Sequence, residues 1–279
     1  SRMVPASENL VLMTPEQFKK QYNPEGSILR RAQYRMLEML SFIDDVCVKN
    51  NIKYWIDSGT LLGARRHGGF IPWDDDVDIC MPREDYVKFK DIMLHNNPSD
   101  EFVLQCHQTD NHYFATWDTL RDLKTEMSGN GKRLENFKFR GLQIDIFLID
   151  DRCNKPMWKF FRYYFAYLIN APLFEGRFTK YIRWNVPFSF FLLTKILLPA
   201  SRFLTKSSKQ FLFYGNGMFW YLKWSRQVIY PLSRIEFEGK KFFAPNNVDK
   251  YLEVMYGEWR TIPSERYRQT HNFSFRFLN

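Results

Sequence analysis

The sequence predicts a mixed α/β fold, class α/β (α+β), with a helical insertion, and three patterns carry that prediction. Apolar side chains recur at helical spacing over residues 28–50, alternate or cluster as in strands at 76–81 and 142–149, and give way to long aromatic and aliphatic runs at 156–226. Ser27 is placed to cap the first helix, in which Met36, Leu40, Ile43 and Cys47 fall at i, i+4, i+7 and i+11 on one face. A short strand at 54–57 follows, then a turn at Ser58 and Gly59 and a loop through His67, Gly68 and Gly69. Over 76–81, Val77, Ile79 and Met81 alternate with Asp76, Asp78 and Cys80, which reads as a strand with one polar face. Pro82 opens a helix at 83–95. Further strands are expected at 102–106, 114–120 and 142–149, and two or three helices with little strand patterning at 156–226. A hairpin at 234–243 turns at Glu238 and Gly239, and Asn246 or Asn247 caps a last helix that stops at Gly257.

With 279 residues, 45% hydrophobic and 25% charged, the chain has the balance of a folded protein, which excludes a largely disordered or fibrous one. No repeat or low-complexity linker divides it. Cys47, Cys80, Cys106 and Cys153 form no CxxC pair, so reduced, mostly buried thiols are expected rather than a zinc ribbon or a disulfide framework. The most apolar window, 186–200, contains Lys195 and falls short of the ~20 residues of a bilayer span, so the expectation is a cytoplasmic chain without a spanning helix. The net charge of +9 is unevenly placed: residues 152–234 hold fourteen Lys and Arg against Glu175 alone, a net +13. Such a block suits anionic lipid, a phosphorylated ligand or nucleic acid. Because its rings join aliphatic runs such as Phe190-Phe191-Leu192-Leu193, peripheral contact with an anionic membrane is favoured over nucleic acid, with Phe190 and Leu193 on the lipid side. The plain alternative is a helical subdomain whose rings pack inward.

The sharpest local signal is Pro72-Trp73-Asp74-Asp75-Asp76-Val77-Asp78, four carboxylates within five positions. They repel one another, so an ordered turn and strand carrying them favours a cation in their midst, and Asp76 and Asp78 share a strand face that suits a divalent metal. Ile79 stands where a calcium loop needs glycine. Asp145 interrupts the apolar run Leu142-Gln143-Ile144-Asp145-Ile146-Phe147, and a buried carboxylate needs a partner: a Lys or Arg, or a metal shared with Asp76 and Asp78. A solvated acidic turn is the bland alternative for residues 74–78. Asp-x-Asp on one strand, an Asp on a neighbour and an upstream Ser-Gly turn is the layout of polymerase-type nucleotidyltransferases, where metals bridge carboxylates and phosphates.

The run Tyr54-Trp55-Ile56-Asp57-Ser58-Gly59-Thr60-Leu61-Leu62-Gly63-Ala64-Arg65-Arg66-His67, with 69–79 and Arg83-x-Asp85-Tyr86, resembles the signature of the LicD family, which is related to the catalytic domain of fukutin-related protein. The likeness continues through Leu120-Arg121-Asp122, Asp145-Ile146-Phe147, Phe237-Glu238-Gly239 and Tyr256-Gly257-Glu258-Trp259, and covers roughly residues 28–271. It implies a nucleotidyltransferase-like mixed sheet flanked by helices, and divides the chain into an N-terminal extension (1–26), a catalytic core (27–151), a basic aromatic helical subdomain (152–230) and a C-terminal hairpin and helix (231–279). The implied reaction moves phosphocholine or a related phospho-substituent from a CDP-linked donor to a glycan hydroxyl, on a glycan that can be lipid-linked, with a divalent cation, Mg²⁺ or Mn²⁺. Asp76, Asp78 and Asp145 match the metal-binding carboxylates, Asp74 or Asp145 the proton acceptor, and Ser58, Gly59 and Thr60 the phosphate-facing turn. Arg66, Arg83 and Arg121 are donor-contact candidates, each equally suited to a structural ion pair; His67 and His271 are suited equally to a local hydrogen bond. Thr119 stands where many relatives carry Lys. Attack on the α-phosphate of a nucleoside triphosphate, with release of pyrophosphate, uses the same carboxylates and is the alternative.

Overall fold

The computed structural model describes residues 13–129, 132–173, 176, 177, 179–215, 217–268 and 273–278. Its strands are β1 (Trp55–Ile56), β2 (Asp78–Pro82), β3 (Phe102–Gln105), β4 (Asp118–Asp122), β5 (Thr125–Gly129), β6 (Gln143–Asp150), β7 (Phe211–Tyr214), β8 (Lys223–Ser225), β9 (Ser233–Phe237), β10 (Lys240–Ala244) and β11 (Phe273–Phe277). Seven of them form one mixed sheet in the order β1-β2-β6-β4-β3, with β7 on the far end of β6 and β8 beside β7. Among the described residues only β2 and β6 run parallel; the other pairs are antiparallel.

The helices are α1 (Pro15–Tyr22), α2 (Ile28–Lys49), α3 (Ser58–His67), α4 (Arg83–His95), α5 (Lys132–Glu135), α6 (Lys155–Asn170), α7 (Thr179–Leu204), α8 (Arg226–Ile229) and α9 (Val248–Tyr256). Ser27 caps α2 by accepting from the Arg30 N–H, and the face carrying Met36, Leu40, Ile43 and Cys47 is wholly buried against the sheet. Met36, Leu40 and Ile43 each contribute about 1.5–3 kcal/mol through apolar burial. Asn247 caps α9, which ends at Gly257, and the β9–β10 hairpin turns at Glu238 and Gly239. All four cysteines are free, three of them buried.

Several elements depart from the sequence pattern. β2 starts at Asp78 rather than at residue 76, because β6 and β1 supply partners only from Asp78 onward. Residues 58–67 form a helix, not a turn and loop, and Gly63 inside it is required: a Cβ there would lie 2.4 Å from the Gly69 carbonyl oxygen. The strand expected at 114–120 is β4, four residues later, and β5 pairs with β11, nearly 150 residues away. Residues 156–226 are not all helical, since β7 and β8 extend the main sheet. α7 is also longer than the apolar window at 186–200 suggests. It is a single 26-residue helix that includes Pro187 and a π-turn at Leu192–Leu197, and it is long and apolar enough to cross a bilayer by length and composition. Phe190 and Leu193 are buried against α6 rather than turned outward.

Candidate active site

β1 leads into α3 through Asp57 and Ser58. The Asp57 N–H donates to the Asp78 carbonyl at 2.9 Å, and the Asp78 N–H donates to the Thr60 hydroxyl at 2.9 Å, so this turn is sewn to the start of β2. Ser58 has φ +47°, a left-handed conformation uncommon for serine, which reverses the chain sharply. Below the turn, fully buried Asp57 accepts from the Tyr251 hydroxyl at 2.7 Å and from Tyr214, and Trp55 donates to the Tyr251 oxygen at 3.1 Å. Above it, a Cβ on Gly59 would lie 2.6 Å from Asp74 Oδ2. Asp74 therefore sits directly on the first turn of α3, where backbone N–H groups have no helical partner.

Asp78 and Asp145 are register partners on the parallel strands, and Thr119 is the partner of Asp145 on its other side, donating to Asp145 Oδ1 at 2.7 Å. Among the described residues no Lys or Arg pairs with Asp145, so the simple salt-bridge reading of this carboxylate is not what the structure contains. Asp74, Asp76, Asp78 and Asp145 are half-buried, whereas Asp75 and Val77 point into the core. Burial, then the charges of Asp76, Asp145, Asp57 and Asp74, push the Asp78 carboxyl well up. Burial and Asp76, by charge and by a hydrogen bond between the two carboxyls, do the same to Asp74. The Asp145 carboxyl is pushed up to about 6 by burial, against the opposing effects of Thr119 and Arg121. The four carboxylates thus form one mutually repelling group, which is the chemistry a divalent cation relieves. Among the described residues, no three His, Cys, Asp or Glu side chains already stand in a metal-holding arrangement.

The basic candidates separate. Arg66 lies on the α3 side, bonded to the carbonyls of Trp259 (2.9 Å) and Thr261 (3.2 Å) and to His67, and among the described residues it has no carboxylate partner. Burial pushes its guanidinium down to about 10. Arg121 is buried, donating to Gln105 and to the Gly141 carbonyl, so it reaches Asp145 only through its charge. Arg83 is held at 2.6 Å by Asp150 near the far end of β6. His67 packs against Phe18 and Trp73, and burial lowers it to about 4. His271 lies outside the described residues.

Three residues beside the site have roles that the sequence did not assign them. Asp57 anchors the turn, Thr119 orients Asp145, and Tyr256 has its hydroxyl pushed up by burial and by Asp57, Asp78, Asp74 and Asp76. Asp57 had a signal, standing immediately before Ser58-Gly59; the other two become neighbours only through the fold.

A Ser-Gly turn feeding a helix beside paired strand carboxylates matches the layout of phosphate-transferring enzymes of the nucleotidyltransferase type. Residues 51–178 match the family model described as LicD/FKTN/FKRP, nucleotidyltransferase domain. These residues carry the chain's likeness to the LicD family, and the chain is a phosphotransferase. It is 25% identical over 269 residues, 90% of this chain and 98% of the relative, to lipopolysaccharide cholinephosphotransferase LicD of Haemophilus influenzae. A shorter match, 44% over 48 residues, 17% of this chain and 10% of the relative, is to human ribitol 5-phosphate transferase FKRP. Mannosyltransferase regulator 4 of Saccharomyces cerevisiae is 28% identical over 134 residues, 46% of this chain and 11% of the relative.

Proposed function

We propose that this enzyme transfers phosphocholine or a similar phospho-substituent from a CDP-linked donor to a hydroxyl of a cell-surface glycan or its lipid-linked precursor, at the cytoplasmic face of the membrane, and releases CMP. The observation that carries this reading is the placement of Asp74, Asp78 and Asp145 around the first turn of α3. The glycan oxygen bonds to the distal phosphorus, the bond from that phosphorus to the CMP oxygen breaks, and CMP leaves with the electron pair. Asp78 and Asp145, with Asp76, would hold a Mg²⁺ or Mn²⁺ ion, which when bound offsets charge on the diphosphate. The hydroxyl proton is assigned to Asp74 on the first turn of α3, which accepts it once its own carboxyl has ionised and its hydrogen bond to Asp76 has opened. Arg66, without a carboxylate partner among the described residues, is the cation for the donor phosphates. Incubation with CDP-choline, CDP-ethanolamine, CDP-ribitol and CDP-glycerol in turn should release CMP with one of them; pyrophosphate release from a nucleoside triphosphate would instead select nucleotidyl transfer.

Two outcomes follow. Gly59→Val should weaken donor binding more than it weakens the fold, because the new methyl groups push the mobile end of Asp74 aside rather than backbone. We expect about 1–2 kcal/mol in stability and a loss of the donor-induced rise in Tm; an unchanged rise would reject the assignment of this turn. A divalent cation should raise Tm more above pH 6 than below it, since Asp145, pushed up to about 6, must release its proton to the solvent before the cation binds. A cation-induced rise independent of pH between about 5 and 8 would argue against Asp145 as a ligand.

A further inference from the structure

Away from the carboxylates, α7 is two-faced. Val186, Ser189, Phe190, Leu193 and Ser201 form a buried stripe, part of which packs with Phe161 and Leu168 of α6 in a second, smaller core. The opposite stripe carries Tyr181, Trp184, Phe188, Phe191, Ile196 and Phe203, from 49% to 84% exposed, and α6 adds exposed Phe160 and Tyr163. Nine of the eighteen large apolar side chains exposed among the described residues lie within 160–204, so this is a concentrated patch and not the scatter of an ordinary surface. Neither helix contains an acidic residue, while Lys180, Arg183, Lys195 and Arg202 are spaced along α7.

Behind α7 lies a cavity of about 420 Å³, lined from the helix by Thr194, Lys195 and Arg202 and from the sheet side by Arg83, Lys90 and Arg152. Asp118 and Asp150 also line it and neutralise part of this charge, through Lys90 at 2.8 Å and through Arg83 and Arg202 at 2.6 and 3.2 Å. Asp151 also reaches Arg152 and Arg202, at 3.9 and 3.8 Å, so five cations against three carboxylates leave the cavity positive, and Lys195 has no carboxylate partner among the described residues.

We propose that α7 lies flat on an anionic membrane, with its exposed aromatic stripe in the boundary between headgroups and acyl chains, and that the cavity behind it receives the phosphate of one lipid headgroup. Length and composition alone permit a crossing helix, but the buried stripe keeps protein seated along α7 from Val186 to Ser201, and Lys195 falls near the middle of its apolar stretch. α6 is tied to the sheet region by the Trp158 indole donating to the Met218 carbonyl at 2.8 Å, so a crossing would carry that polar backbone into hydrocarbon. A helix with lipid on one side and protein on the other, with cations along its length, matches an in-plane orientation. This would bring a lipid-linked acceptor to the enzyme, although the surface itself belongs to α6 and α7 and holds whatever the acceptor is.

Flotation of the full chain tests this, with neutral phosphatidylcholine vesicles and with vesicles containing about 30% phosphatidylglycerol. The chain should float with the anionic vesicles, release as salt is raised, and lose about tenfold in binding in both Trp184→Glu/Phe188→Glu and Lys195→Glu, with Tm unchanged. Quenching of tryptophan fluorescence by brominated lipid, present in the wild type and reduced in Trp184→Phe, reads the same contact without charge reversal. No flotation at low salt, equal flotation of the Trp184→Glu/Phe188→Glu variant, or retention through high salt and alkaline carbonate, which marks a spanning helix, would each overturn the proposal. So would a Tm rise with soluble glycerol phosphate that depends on Lys195 without any vesicle binding, because the cavity would then serve free phosphate esters. The assay contains neither donor nor glycan, so its failure is distinguishable from failure of the transfer reaction.

Discussion

Asp145→Asn is expected to lower transfer at least about a thousandfold, about 4 kcal/mol of transition-state stabilisation, while leaving the fold as stable as the wild type or more so at neutral pH. The two halves have one cause. Asp145 stands beside Asp78 in register and within the field of Asp76, with burial pushing its carboxyl from 3.8 up to about 6. A carboxyl whose folded-state value is raised binds a proton in the folded state that the unfolded chain has already lost, so stability falls as pH rises from about 4 to about 6 and is level above that. Metal-free wild type at pH 7.5 therefore carries a cost of about 1–3 kcal/mol that the neutral amide does not. Asn still accepts from Thr119, so its position is kept. The checks are CMP release with the active donor, and Tm of both proteins at pH 7.5 and at pH 4, where the difference should vanish. Turnover within tenfold of wild type would remove Asp145 from the reaction; a large drop in Tm at pH 7.5 would make its role structural.

What was legible in the sequence was whatever the chain decides locally. The α2 face, the Ser27 and Asn247 caps, the stop at Gly257 and the turn at Glu238-Gly239 all rest on neighbours within a few residues. The acidic cluster was legible as composition, because four carboxylates in five positions demand an explanation in any fold. Its geometry was not. Alternation from 76 to 81 reports which face each side chain takes, but strand pairing depends on partners, and these begin only at Asp78. Leu61, Leu62, Ala64, Arg65 and Arg66 are good helix formers, yet the glycines around them drew the reading toward a loop. The aromatic run at 211–214 suits a buried helix or a strand equally by periodicity, and only pairing with Ile149 and Asp150 decides it. In α7 the apolar window was judged by an uninterrupted run, whereas the helix continues through Pro187 and Lys195. Thr119 and Tyr256 reach the carboxylates across 26 and more than a hundred residues of chain, distances at which no local pattern speaks.

Glu238→Ala is expected to cost about 3–5 kcal/mol of stability, the range for breaking one side of a buried ion pair. Glu238 makes a two-pronged pair with Arg30 at 3.1 and 2.7 Å, and the side chains are only 9% and 5% exposed. The same carboxylate accepts from the Phe70 N–H at 3.0 Å, and the Glu238 N–H donates to the Gly68 carbonyl, so the hairpin tip clamps the loop that runs from α3 toward Asp74. Gly69 must lack a side chain for this contact, since a Cβ there would fall 2.2 Å from Glu238 Oε1. Alanine leaves Arg30 with the longer contact to exposed Glu25 at 3.4 Å, its hydrogen bond to Gln33 and the Tyr34 ring, none of which replaces the lost buried carboxylate, and it leaves the Phe70 N–H without its acceptor. Arg30→Met/Glu238→Leu should lose less than Glu238→Ala alone, because neither charge is then stranded, although the Phe70 N–H remains unmet. Urea denaturation of the two variants measures both effects. A cost under about 1 kcal/mol for Glu238→Ala, or a double variant weaker than the single one, would mean that the loop before the acidic cluster is held by its own packing and not by this clamp.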